Sequence, residues 1–278
     1  MSDISNREAV LSAAPATPVL DLRALTPARV ALERSGVSVT THHALAFSLA
    51  HAQARDAVHS ALAVPSLMAA LRERGLTALA VRSAASNRTE YLRRPDLGRT
   101  LASSSAELLA ARRGEDRKPG AVVSVILGDG LSALAVERHA LSLLDALLPL
   151  LRPTADASAT KAADWALAPV IVAEQARVAL GDAIGVALEA NVTVMLIGER
   201  PGLSSPASLG AYITWAPRPG RTDAERNCVS NVHTDGLGYA AAAAKIAWFV
   251  TEAQRLGLTG VDLRESNMPR LSESGSGV

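Results

Sequence analysis

The sequence predicts an α/β fold in which a parallel-sheet C-terminal domain follows a smaller, mainly helical N-terminal region. Three observations carry that prediction. Apolar runs at residues 121–127, 167–172 and 192–197 have the length of buried strands, and helical stretches at residues 131–148 and 175–188 fall between them. A strand-helix-strand-helix-strand order with crossovers of this length is solved by a parallel sheet covered by its own helices. Apolar residues make up 49% of the 278-residue chain but aromatics only 3%, so the core is built from Ala, Val, Leu and Ile, which pack closely between helix and sheet.

Taken in order, residues 1–25 are Ala/Ser/Pro-rich without a sustained period and read as a flexible arm. In the N-terminal region, residues 26–115, Thr41 caps a helix over 41–62 whose apolar positions include Leu45, Leu49, Ala52 and Val58. A second helix over 65–74 is ended by Gly75, and a strand follows at 76–83. Residues 87–99 carry Arg88, Arg93, Arg94 and Arg99, a local basic patch. The charged, Gly/Pro-bearing segment 112–120 separates this region from the domain spanning residues 116–265. There the strand 121–127 turns at Gly128-Asp129-Gly130 into the helix 131–148, and a polar connection occupies 153–164. After the strand 192–197, shorter strands at 211–215 and 227–232 read as edge strands before a last helix over 239–256. Residues 266–278 form a low-complexity, flexible tail.

Charge and cysteine content exclude several functions. With 28 basic against 27 acidic residues the net charge is +1, so there is no global field to gather nucleic acid or an anionic membrane. Cys228 is the only cysteine, which excludes an internal disulfide and a multi-cysteine zinc site and fits a reducing cytoplasm. The first residues are acidic and polar where a secretion signal is basic and then apolar. No apolar run approaches the ~20 residues that span a bilayer, and a soluble protein is expected.

In an open α/β sheet, ligands bind outside the carboxyl ends of the strands. The strand 192–197 empties there into Gly198-Glu199-Arg200-Pro201-Gly202. Glu199 reads either as a carboxylate satisfied by an arginine or as an acceptor for a ligand's amide or hydroxyl groups. Gly128-Asp129-Gly130 reads as a tight turn or as a ligand loop; it lacks the third glycine of a dinucleotide fingerprint and the lysine of a phosphate-cradling loop. His42, His43, His51 and His59 crowd one helix, but the eight-residue steps rotate a side chain by ~80°, so solvated histidines are preferred to a metal site. Cys228, near His233 and Asp235, suggests a thiol nucleophile without a nucleophile-elbow pattern; the alternative is a small residue packed against a ligand.

Five segments in order, Tyr91-Leu92-Arg93-Arg94-Pro95-Asp96-Leu97-Gly98-Arg99, Asp129-Gly130-Leu131-Ser132, Ala176-Arg177-Val178-Ala179-Leu180-Gly181-Asp182, Gly198-Glu199-Arg200-Pro201-Gly202-Leu203 and Arg226-Asn227-Cys228-Val229-Ser230-Asn231, closely resemble the small (light) subunit of ethanolamine ammonia-lyase over residues 26–256. The resemblance implies an adenosylcobalamin-dependent lyase that converts ethanolamine to acetaldehyde and ammonia by radical chemistry. It implies a large-subunit partner, a TIM barrel that holds the substrate and the catalytic side chains, in a hetero-oligomer of several subunit pairs. This chain is then similar to a Rossmann-like lid over the corrin, with no catalytic residue and no metal ligand of its own. Three cobalamin-contact positions carry over by motif: Val178, Glu199 and Cys228. The Asp-x-His-x-x-Gly signature of histidine-ligated cobalamin proteins is missing, and His139, within a helix, does not replace it. The family's location is the cytoplasm or a bacterial microcompartment; some members carry a longer amino-terminal extension for the latter, where here about 25 unpatterned residues precede the matched stretch. Two other readings compete: a non-catalytic assembly subunit without cofactor contact, and an independent cysteine hydrolase using Cys228, His233 and Asp235. The arginines at 88, 93, 94 and 99 either face the large subunit or are solvated.

Overall fold

A computed structural model of the chain describes residues 22–26, 28–112, 120–151 and 165–264. The arm before residue 22, the core of the charged boundary segment at 113–119, the polar connection at 152–164 and the tail from 265 lie outside the described residues. Two compact units are distinguished, residues 1–47 and 48–278. The first holds a 3-10 turn at Leu22–Leu25 and a short antiparallel hairpin of β1 (Arg34–Ser35) and β2 (Ser38–Val39). Gly36 makes its reversal with φ of 63°, a conformation that costs glycine no Cβ clash. Helix α1 (Thr41–His59) spans the division between the units.

The second unit continues with α2 (Val64–Glu73), β3 (Ala78–Arg82), α3 (Arg88–Arg93), α4 (Ser103–Ala111), β4 (Ala121–Gly128) and α5 (Ala133–Leu151). It is completed by β5 (Trp165–Leu167), β6 (Val170–Glu174), α6 (Leu180–Ala187), β7 (Val192–Gly198), β8 (Leu209–Trp215), β9 (Asn227–Val232) and α7 (Tyr239–Leu256). This is a mixed α/β fold around one mainly parallel sheet, in the order β3-β6-β4-β7-β8-β9, with the short β5 paired to β4. Strands β3, β6, β4, β5 and β7 run parallel, and β8 and β9 add antiparallel beyond β7. The change of direction follows from the connections: residues 199–208 return the chain directly, whereas each parallel step needs a crossover. Strand β3, from the N-terminal region of the sequence, extends this same sheet through β6.

Strand alternation sorts the core onto two faces. Val123, Val125 and Leu127 of β4 pack with Val192, Val194 and Leu196 of β7 against Leu143, Leu144 and Leu147 of α5 and Ile246 and Val250 of α7. Ile126 and Met195 turn to the opposite face and meet Leu180 and Ile184 of α6 and Leu109 of α4. Each fully buried leucine of this kind contributes ~2 kcal/mol of transfer free energy.

The structure departs from the sequence reading in four places. The single strand expected at 167–172 is two, because Pro169 has no N–H for a ladder and the chain shifts there from β5 beside β4 to β6 between β3 and β4. The basic stretch at 87–99 contains helix α3, capped by the Asn87 side chain accepting from the Glu90 N–H. Strand β8 is flanked on both sides, so of the two C-terminal strands only β9 is at the edge. Lastly, the helix expected from residue 175 begins only at Leu180, and the five residues before it belong to the site.

Candidate functional site

Strands β6, β4 and β7 end side by side, with Gly128 opposite Ala173 on one flank and Ile197 on the other. The loops that leave them enclose a cleft of about 480 Å³ whose lining includes Gly130, Leu131, Val178, Glu199 and Tyr212. A second cleft of about 690 Å³, lined also by Arg99, Arg177, Val178 and Arg221, adjoins it. This is the carboxyl edge of the sheet, where ligands of open α/β folds bind.

Val178 sits on a loop that is fixed from three directions. Asp129, at the end of β4, accepts the Gln175 N–H at 2.9 Å and the Ala176 N–H at 2.8 Å. The Tyr91 hydroxyl of α3 donates to the Ala176 carbonyl at 2.9 Å, and the Arg177 N–H donates to the Gly98 carbonyl at 2.8 Å. These bonds hold Gln175 at φ of 55°, outside helical space, which is why the helical period of the sequence overruns the helix. Tyr91, fully buried, has the guanidinium groups of Arg88 and Arg177 at 4.7 and 4.4 Å from its ring centre, two cation-π contacts. Arg88 donates to Asp129 at 3.3 Å, to the Gly130 carbonyl at 2.8 Å and to the Val58 carbonyl at 2.7 Å. Burial pushes the Asp129 carboxyl up to about 6, against the opposing pull of the Ala176 N–H and Arg88.

The Gly128-Asp129-Gly130 turn therefore serves close backbone packing. A Cβ on Gly130 would stand 2.2 Å from the Gly198 carbonyl oxygen, and one on Gly198 2.0 Å from that of Ser132. The Leu131 N–H donates to Gly198 at 2.9 Å, locking the two cleft walls together. Glu199, at the start of the loop after β7, takes the Ser208 hydroxyl on Oε2, with the Asn231 N–H at 3.3 Å. Its partners are thus a serine and a backbone amide rather than an arginine. The far end of this loop is anchored by the Ser132 hydroxyl donating to Pro206 at 3.0 Å and by His139, whose Nε2 lies 3.1 Å from the Ala207 carbonyl. Since a carbonyl only accepts, Nε2 carries the proton and Nδ1 accepts from the Tyr239 hydroxyl at 2.8 Å. Burial lowers the His139 pKa and keeps the ring neutral.

Cys228 is exposed on β9, opposite Tyr212 in the ladder. Its thiol neighbours the Tyr212 hydroxyl, and desolvation raises the pKa of both groups. Cys228 therefore meets the cleft through Tyr212, whereas Val178 and Glu199 line it directly. The cysteine-hydrolase arrangement does not form. The His233 nitrogens face Asn231 Oδ1 at 2.9 Å and the Asp235 N–H at 3.2 Å, leaving the thiol beside a protonated tyrosine instead of a base. Among the described residues no group of three or more His, Cys, Asp or Glu could hold a metal ion, and no helix is long and apolar enough to cross a membrane. The four arginines of 88–99 do not act together: Arg88 is drawn inward to Asp129, and Arg94 pairs with Asp96 at 2.7 Å. Sequence reasoning weighed Asp129 only as part of a turn and gave no role to Tyr91, Arg177 or Tyr212; for Tyr91 the available signal was an aromatic amid arginines in a chain with few aromatics.

Comparison with known proteins gives a consistent result. The model of the ethanolamine ammonia-lyase light chain (EutC) family matches residues 16–264. The ethanolamine ammonia-lyase small subunit of Bradyrhizobium diazoefficiens is 53% identical over 260 residues, 93% of this chain and 94% of the relative. That of Azotobacter vinelandii is 52% identical over 266 residues, 95% of each chain, and that of Ralstonia nicotianae 50% over 255 residues, 91% and 90%.

Proposed function

The chain belongs to the ethanolamine ammonia-lyase light-chain family, and from that premise we propose that it binds adenosylcobalamin at the carboxyl edge of its sheet, against a large-subunit partner. The observation that carries this reading is the convergence of Val178 and Glu199, far apart in sequence, on one cleft. The residues present fit a large, amide-fringed cofactor. Val178 offers an apolar contact. Glu199, with Oε2 engaged by Ser208 and Asn231, keeps Oε1 as an acceptor for amide or hydroxyl protons. Arg177 lines both adjoining clefts. Tyr212 lines one wall, with Cys228 opposite it in the ladder, and both groups are kept protonated by desolvation.

When bound, the cofactor supplies radical chemistry by homolysis of its cobalt-carbon bond, in the conversion of ethanolamine to acetaldehyde and ammonia. This chain's residues bind, orient and exclude water. Glu199 is held by two donors and is suited to accepting hydrogen bonds rather than to moving a proton. The substrate and the catalytic side chains belong, in this reading, to a TIM-barrel large subunit, in a hetero-oligomer of several pairs in the cytoplasm or a microcompartment. The parallel strands with a crevice at their carboxyl edge support a Rossmann-like description of the domain.

The test is a spectroscopic cobalamin titration of the complex with the large subunit. Glu199→Ala is expected to weaken affinity about tenfold, the loss of one charge-assisted hydrogen bond in a largely buried site. An unchanged titration with the complex intact would favour an assembly subunit without cofactor contact.

A further inference from the structure

From the geometry behind the cleft, and resting on the cofactor reading above, we infer that Asp129 and Tyr91 are positioning residues that set the Val178 loop in its cofactor-accepting shape. Tyr91 lines the cleft with its ring and Asp129 stands behind it, and neither offers the cleft a free polar atom. Asp129 is 2% exposed and sits one residue beyond β4, yet it spends both oxygens on the backbone of a loop 46 and 47 residues away. The two amides it takes belong to Gln175 and Ala176, where an α-helix starting at residue 175 would point them along its own axis. Tyr91 fixes the same peptide from the other side by donating to the Ala176 carbonyl. Ala176 is thus clamped through its N–H and its C=O, and Val178 is two residues downstream.

The cost of the arrangement is visible around it. Gln175 has a positive φ, and Arg88 Nη2, Gln175 Oε1 and Arg177 Nε are buried without a partner. Were the clamp released, the helical sequence of 175–179 would be free to join α6, and Val178 would leave the cleft. Strain concentrated beside a binding loop is the pattern expected of a preorganised site.

The test uses Asp129→Asn, Tyr91→Phe and Glu199→Ala in the full complex with the large subunit, titrated with cobalamin alone and assayed with ethanolamine. Asn accepts one of the two amides and turns an NH₂ toward the other. Affinity for cobalamin is expected to fall about fivefold or more in Asp129→Asn and about threefold in Tyr91→Phe. The ethanolamine KM and the elution of the complex should stay at wild-type values, which loss of general structure would not leave intact. If Asp129→Asn does not fold, Tyr91→Phe decides. Wild-type affinity in the clamp variants while Glu199→Ala is weakened would overturn this inference alone; wild-type affinity in all three would overturn the cofactor reading with it.

Discussion

Two buried Asp–Arg pairs pack against this sheet, one at its carboxyl edge after β4 and one where the chain enters β9, and they are built to different ends. Asp182 and Arg226 meet through two bonds of 2.7 and 2.8 Å, each side chain 2% exposed. Thr214 and the Arg221 carbonyl take further guanidinium protons at 2.9 and 3.0 Å. Asp129 and Arg88 touch once, at 3.3 Å; the carboxylate is directed at loop amides and the guanidinium is divided among three acceptors. The first pair is a two-bonded rivet between α6 and the segment entering β9, with only the Arg226 Nε left without a hydrogen-bond partner among the described residues. The second is an open clamp that tolerates imperfect pairing because its task is to shape a loop. Buried ion pairs are thus not interchangeable as stabilising features; what matters is which of their bonds are made to each other.

The largest effect that would sharpen this contrast is expected at the rivet. Asp182→Ala leaves Arg226 buried and uncompensated, at a cost of ~3–5 kcal/mol, read by chemical denaturation; a loss no greater than that of a surface substitution would erase the distinction. Next comes the pH dependence of the clamp. The Asp129 carboxyl titrates at about 6 when folded against 3.8 for an ordinary aspartate. Between those values the folded chain holds more protons than the unfolded one, so this group's contribution to stability falls as pH rises through the window, by ~3 kcal/mol at most, and is constant above it. Relative to wild type, Asp129→Asn should therefore gain several degrees of Tm between pH 4 and 6.5. Parallel melting curves would mean that the loop amides and Arg88 fully offset the desolvation of the carboxylate. The smallest effect is expected at the exposed Arg94–Asp96 pair, 60% and 58% accessible: Arg94→Ala should leave Tm unchanged. A shift there comparable to that of Asp182→Ala would mean that burial does not separate the three pairs.

The segments that were legible in the sequence share one property, a pattern repeated over enough residues to outweigh local exceptions. Strand β9 and helix α7 fall at the expected bounds, and the apolar runs of β4 and β7 are each extended by a single glycine. Those glycines were visible but their purpose was not, since what a Cβ would meet, the Met195 side chain at Gly128 and the Ser132 carbonyl at Gly198, belongs to a distant segment. The start of α6 was misread for the same reason. Residues 175–179 carry a helical pattern, and nothing near them in the chain announces that Asp129 and Tyr91 will claim the backbone of Ala176.

For the candidate site, the motifs pointed to Val178, Glu199 and Cys228, and the structure places the first two on one cleft with Cys228 behind Tyr212. Hydrophobic period, composition and motif order are local quantities, and by themselves they determined the α/β class, the family and the edge of the sheet at which to look. The partners of Glu199, the two cation-π contacts of Tyr91 and the division of labour between two aspartates were decided only by tertiary structure. A hydrogen bond or a buried charge acquires its energy from the groups that surround it, and here those groups arrive from elements dozens of residues apart.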